Sequence, residues 1–348
     1  MKTKTNGIPW LAGAFFCAGS SVVAAKPLTD AIGPFTLTCL SLAFCILSLL
    51  PVCTPKRLSA LWRIGWPGWR ELLLEALLGI VLFRLFLLPG LTMTSAGEAG
   101  LLTGLSPALT ALFARLALRE RMSPWKGAGL ALTLVGALAM QVPHLGTAAG
   151  WRNLAGNALV LLAATSESLF SVRCRVNAVR AQAEGAAADS LHPLCRTAVV
   201  SCCALLPCLP PACLEQPLAR VAVLGPAQWL ALLWYGAGVT ALGYGCWYAG
   251  IRRSSASTAA VMTGVMPLTS MVLSLAVLGE RPTGWMLAGG GMLLAGLLLA
   301  ALAERTSEAL QAPPAVQTPD APPNPSVERV SSAHHARPQT ESGAGAGR

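Results

Sequence analysis

Two ionisable residues stand in stretches where charge is costly. Glu167 lies within AGNALVLLAATSESLFSV and Arg84 within LGIVLFRLFLLPG, both otherwise apolar or weakly polar. If such stretches cross a bilayer, an ionisable group must face the protein interior or a water-filled cavity. A carboxyl so placed can take up and release a proton, as proton-coupled movement of a solute requires. Glu167 is the candidate for that role. The plainer alternative is a helix-end carboxylate reaching water beside Ser166, Ser168 and Arg173. For Arg84 three readings are open. It can pair internally with Glu98, Glu75 or Glu167, bind an anionic solute, or snorkel toward the membrane surface.

A second set of residues could break helices. Pro107 and Pro267 each follow a Thr-Gly pair, Thr103-Gly104 and Thr263-Gly264. Proline removes a helix hydrogen bond and frees a carbonyl. A paired bend near mid-membrane would line or gate a solute path. Trp247 and Tyr248, with Trp234, Tyr235 and Tyr244, crowd one stretch and could form an amphipathic wall against an organic solute. The Glu120-Arg121 and Glu280-Arg281 pairs follow apolar segments and read as supporting caps or gates. The eleven cysteines lie mostly in apolar runs, without CxxC or zinc spacing, and are expected to be small apolar fillers. His334 and His335 sit in a polar tail, where a metal role is the lesser reading.

The elements that must position these residues follow from composition. Residues of the hydrophobic set make up 54% of the 348 and charged residues only 11%, too few for a water-facing surface of this size. The net charge of +10 comes from short clusters between apolar segments, with no aromatic platform. This excludes nucleic acid and reads as a topology signal. A crossing helix needs about 20 apolar residues. The pattern predicts about ten of them, at 8–25, 32–51, 71–89, 95–117, 124–141, 154–173, 195–213, 228–249, 255–278 and 283–302. The seventh, broken by Pro207, Pro210 and Pro211, is the weakest. With the N-terminus in the cytoplasm, seventeen Lys and Arg fall on the cytoplasmic side. Only Lys26, Arg152, Arg220 and Arg281 fall opposite. Residues 304–348, rich in Pro, Ala, Ser and Gln, read as a disordered cytoplasmic tail. Residues 180–192 read as a flexible loop.

The chain also repeats itself. AGLLTGLSPALTALFARLALRER at 99–121 and AAVMTGVMPLTSMVLSLAVLGER at 259–281 align without a gap at an offset of 160. The same offset matches Trp125 with Trp285, Gly129 with Gly289 and Gly136 with Gly296. Five helices per half would invert the second half relative to the first, as in many secondary transporters. The expected fold is therefore an all-α integral membrane protein of about ten transmembrane helices in two inverted five-helix repeats. The glycines at small-xxx-small spacing, including Gly100, Gly104, Gly127, Gly129, Gly136, Gly289, Gly290, Gly291 and Gly296, are expected to permit close helix approach.

With its duplicated TGLSP…RER and TGVMP…GER segments, and Lys26 at the end of the first helix, the sequence resembles the drug/metabolite transporter superfamily in its EamA-like ten-helix branch. The resemblance implies two EamA-like repeats, at 8–141 and 154–302, followed by the 304–348 tail. It implies a bacterial inner-membrane carrier of a small organic metabolite, amino acid or drug, with export favoured and no enzymatic step. Glu167, Arg84 and the long tail depart from the usual family pattern. Expected partners are the solute, protons, membrane lipid and, as an open alternative, a second copy of the chain. No cofactor, metal or nucleic acid is expected. A membrane enzyme is disfavoured by the scarcity of histidines. A non-transporting sensor or scaffold would need neither the paired proline bends nor an intramembrane acid.

Overall fold

Proline and glycine set most of the helix limits. Pro34, Pro124, Pro193 and Pro226 stand at the first turns of helices, where a missing N–H costs nothing. Gly279 closes one helix in the left-handed region, at φ 67°. The computed structural model describes residues 7–118, 123–183, 192–251, 253–254, 258 and 261–311. The long helical segments are α1 Ile8–Thr29, α2 Pro34–Leu49 and α3 Gly65–Leu91. Next come α4 in two pieces, Ala96–Thr103 and Ser106–Leu118, then α5 Pro124–Ala139, α6 Ala148–Ala183 and α7 Pro193–Leu214. α8 runs in three pieces, Pro226–Leu233, Trp234–Leu242 and Gly243–Ile251, followed by α9 Val265–Leu278 and α10 Gly284–Gln311.

By length and apolarity, seven helices among the described residues can cross a membrane: α1, α3, Ala96–Leu116, Pro124–His144, Ala148–Cys174, α7 and Gly284–Ala303. α2 and α9 are apolar but shorter. α8 is divided because its middle piece, Trp234–Leu242, is π-helical. The protein is thus an all-α, multi-pass membrane protein. The expected weakness of the seventh segment is not seen. α7 is one uninterrupted helix of 22 residues in spite of its three prolines, of which Pro207 and Pro210 lie on its exposed side. The Glu120-Arg121 pair, the tail from 312 with its two histidines and most of the 180–192 loop lie outside the described residues.

Close packing rests on glycine at a few places. A Cβ on Gly129 of α5 would stand 2.7 Å from the carbonyl oxygen of Gly296 in α10, and one on Gly136 would stand 2.4 Å from that of Gly289. Any side chain there would push two backbones apart. Gly127 and Gly291 play no such part, with nothing within 4 Å of an added Cβ. In α1, a Cβ on Gly19 would lie 2.3 Å from the carbonyl oxygen of Met266, so α1 and α9 also meet at backbone contact. The buried apolar core joins α1, α2, α3 and α4 to α10 through Leu28, Leu37, Leu87, Leu101 and Leu293. All eleven cysteines are free, and Cys17, Cys39, Cys45, Cys195 and Cys208 are buried.

α3 and α8 each contain a π-helical stretch, Leu77–Leu82 and Trp234–Leu242. The 160-residue offset carries the first onto 237–242, inside the second. Such widened turns cost hydrogen-bond geometry and gather at functional sites.

Candidate functional site

Both Thr-Gly-x-x-Pro segments interrupt their helices. In the first, Gly104 and Leu105 leave the helix between the two pieces of α4, with Gly104 N–H bonding Gly100 O at 3.2 Å and Leu105 N–H bonding Leu102 O at 3.0 Å. Pro107, in the first turn of the second piece, supplies no N–H to continue the ladder. In the second, Thr263 and Gly264 form the turn before α9, and Met266 N–H bonds Thr263 O at 3.2 Å. The two interruptions touch. A Cβ on Gly104 would meet the Pro267 ring at 2.9 Å.

Glu167 belongs to the first interruption. Ser106 donates its hydroxyl proton to Glu167 Oε2 at 2.6 Å, and the neighbouring Ser168 donates to Ser106 O at 2.9 Å. α6 therefore meets the break in α4 through Glu167 and Ser168, while Ser166 turns to α3 and donates to Leu78 O at 2.7 Å. Arg84 does not reach it.

The three carboxylates considered for Arg84 are engaged elsewhere. Glu75 makes a bidentate pair with Arg196 of α7, through Arg196 Nε at 2.9 Å and through Nη2. Glu98 accepts from Thr94 Oγ1 at 2.9 Å and Asn157 Nδ2 at 3.1 Å, and meets His144 Nε2 at 3.0 Å. Glu167 holds Ser106. The expected internal ion pair of Arg84 is thus absent among the described residues. Arg84 is instead buried in hydroxyls, a carbonyl and an aromatic face. Nη1 donates to Ser41 Oγ and, at 3.4 Å, to Thr38 O, both on α2. Nη2 donates to Thr240 Oγ1 at 3.4 Å, and the guanidinium carbon stands 4.7 Å over the Tyr235 ring. Tyr235 and Thr240 belong to the π-helical stretch of α8, and Arg84 follows that of α3 by two residues.

The aromatic stretch splits by function. Trp234 donates to Ser20 Oγ at 2.9 Å and Trp247 packs edge-on to Phe15 at 5.7 Å. Tyr248 stacks with Tyr244 at 6.2 Å and borders a cavity of about 350 Å³ with His192, Leu194, Gly245 and Arg253. Tyr244 and Tyr248 also line a small hollow beside the Glu75–Arg196 pair. A second cross-helix pair joins α3 to α6 rather than to α7: Glu71, one turn before Glu75, meets Arg173, with Arg173 Nη2 at 2.6 Å from Glu71 Oε1.

At the opposite helix ends, carboxylates cap helices remote in sequence. Glu280 accepts from Ala96 N–H at 2.8 Å and Gly97 N–H at 2.9 Å, closing the N-terminus of α4. Glu215 accepts from Phe35 N–H at 3.2 Å and from the N–H and hydroxyl of Thr36 at 2.7 Å, closing α2. Negative charge at a helix N-terminus satisfies orphan N–H groups. Lys26 Nζ ties α1 to Leu91 O and, at 2.7 Å, to Thr94 O. Sequence reasoning foresaw a supporting role for Glu280. It missed Glu215, Arg196 and the Glu98–Asn157 cluster, whose partners lie on helices remote in sequence.

Similarity to known proteins agrees with this architecture. The EamA-like transporter family matches residues 5–142 and again 154–302. The uncharacterized transporter YetK of Bacillus subtilis is 28% identical over 80% of this chain and 82% of its own. The aromatic amino acid exporter YddG of Ancylobacter novellus is 26% identical over 82% of this chain and 94% of its own. A solved crystal structure covering 87% of this chain and 99% of its own shares the fold, with TM-score 0.56 at 22% identity. Two matches of one transporter family, end to end over most of the sequence, settle the class: the chain belongs to the EamA-like transporter family and is a membrane carrier of small organic solutes rather than an enzyme.

Proposed function

We propose that the protein is an alternating-access exporter of a small organic solute, with amino acids the favoured class because a relative matched over most of its length exports aromatic amino acids. The observation that carries this is the pair of interrupted helices meeting at Gly104 and Pro267. Thr103, Gly104, Pro107, Thr263, Gly264 and Pro267 then form the moving lining of the solute path. A backbone break between two rigid helix pieces bends at low cost, which exchange between two conformations needs.

The two repeats, 8–141 and 154–302, are inverted five-helix units in this proposal. Crossed contacts support it. Gly129 meets Gly296 while Gly136 meets Gly289, and the offset equates Gly129 with Gly289 and Gly136 with Gly296. Reciprocal contacts of this kind are what a two-fold relation produces. The charge bias puts both termini in the cytoplasm, the 304–348 segment serving as a cytoplasmic tail. The Tyr248-lined cavity, with Trp247 behind it, is the cytoplasmic vestibule.

Glu167 is the proton-coupling group. It pairs with a hydroxyl rather than a cation, so its protonation state is free to follow the conformation of the break it fills. The test measures accumulation and counterflow of L-phenylalanine in inside-out vesicles carrying the parent or E167Q. Counterflow should persist in E167Q while pH-gradient-driven accumulation disappears. Unchanged accumulation would remove Glu167 from the mechanism.

A further inference from the structure

We propose that Arg84 is the binding point for the carboxylate of the transported solute. The inference rests on the transport function proposed above and names the chemistry of the substrate. It begins from an imbalance. A guanidinium carries five N–H donors and a permanent charge. Arg84 uses three donors, two on Nη1 and one on Nη2, on neutral acceptors. Nε and the remaining Nη2 hydrogen donate to no acceptor among the described residues. Side by side, these two N–H groups form a fork that matches the two oxygens of a carboxylate.

The surroundings hold the side chain without neutralising it. Ser41 and Thr38 fix one edge from α2, Thr240 fixes Nη2 from α8, and the Tyr235 ring supports the cation from below. A ring face attracts a cation but leaves its formal charge in place. The residue is 6% exposed, so solvent screens its charge little. An isolated buried charge is tolerated where a counter-ion arrives with the ligand.

Two further observations point to the same place. The π-helical stretches of both α3 and α8 border Arg84. Widened turns let helices yield locally, as admission of a solute to a buried group requires. Gly236, one residue after Tyr235, lies so close to α2 that an added Cβ would stand 2.3 Å from Ser41 O. The ring and the hydroxyl are thus held by backbone contact, which fixes the groups that orient the guanidinium.

The experiment uses two matched pairs of probes, L-phenylalanine with L-phenylalaninamide and benzoate with benzamide. Each pair differs in the carboxylate. Thermal stabilisation of the purified full-length protein reports binding, and flux into reconstituted vesicles reports transport. The expected result is stabilisation by both carboxylates and not by the amides. In Arg84→Gln the affinity for L-phenylalanine falls by about tenfold or more, the effect of losing a charge-assisted hydrogen bond. Arg84→Lys, which keeps the charge without the fork, should recover part of the binding. Equal stabilisation by acids and amides, or full affinity in Arg84→Gln, overturns the proposal. If flux occurs in that case, the transport function stands without it. Carboxylate binding lost in Arg84→Gln but unaccompanied by flux keeps the site and overturns the transport function. Neither binding nor flux for any probe overturns both.

Discussion

Arg84 and Arg196 occupy related places and are treated in opposite ways. The 160-residue offset carries Glu75 to Tyr235 and Arg84 to Tyr244. In space the relations cross. Arg84 sits over Tyr235, while Tyr244 lines the hollow beside Glu75. Two pockets are therefore built from the same pair of positions. In one, Arg196 enters from α7 and closes a bidentate pair with the buried Glu75. In the other, the offset places Thr36 where Arg196 would be, and Thr36 is spent on Glu215. The first pocket balances its charge within the protein. The second keeps a cation and leaves the anion to be supplied. Positions related by the offset thus hold a strut in one place and, in the proposal above, a seat in the other.

This difference can be broken most severely at the strut. Arg196→Ala strands the Glu75 carboxylate, and the folded state should lose about 3–5 kcal/mol. Thermal unfolding of the purified protein would record that loss. Replacing both members, Glu75→Leu with Arg196→Leu, removes the uncompensated charge. It should recover most of the stability, since apolar replacement of a buried pair is often neutral. Solubilised yield and unfolding temperature of the double variant, set against Arg196→Ala, would check this. Converting the seat into a strut comes next in size. Thr240→Asp places a carboxylate beside Arg84 and should raise stability by about 1–3 kcal/mol. It should also abolish stabilisation by L-phenylalanine, because the internal acid neutralises the guanidinium charge that the solute carboxylate would meet. The smallest effect is expected for Arg84→Gln, within about 1 kcal/mol of the parent in the absence of solute, because removal of an unpaired buried charge offsets the lost hydrogen bonds to Ser41, Thr38 and Thr240. A loss as large as that of Arg196→Ala would show that both arginines are struts.

The helices were legible because apolar length and helix-limiting prolines are local signals. The paired breaks were legible because Thr-Gly-x-x-Pro recurs at a fixed offset. The Gly129–Gly296 contact was legible in kind, as close approach, though Gly127 with the same spacing turned out to face open space. What escaped the sequence was pairing across distance. Glu75 was considered for Arg84, nine residues away and about 13 Å along the helix axis. Its partner came from α7, 121 residues on. Such a choice depends on which helix packs beside α3, and helix neighbours are not written in any one segment. The π-helical stretches escaped for the same reason. Their residues, such as LLGIVL, are ordinary for an apolar helix, and the widened turn follows from what packs against it.

The crossed glycines of α5 and α10 have a mechanical consequence. At that seam backbone meets backbone at Gly129–Gly296 and Gly136–Gly289, with Thr133, Met140 and Met292 packed at its edges. Sliding one helix along the other would ride each peptide over its neighbour, whereas tilting about the seam leaves the contact in place. The seam is thus a fulcrum. If the two halves of the carrier rock, the displacement must be smallest here and grow with distance toward the vestibule and the breaks. Gly129→Ala, whose Cβ would meet the backbone of α10, should then shift the fulcrum and lower flux, while Gly127→Ala on the same helix, where an added Cβ meets nothing within 4 Å, should leave flux unchanged.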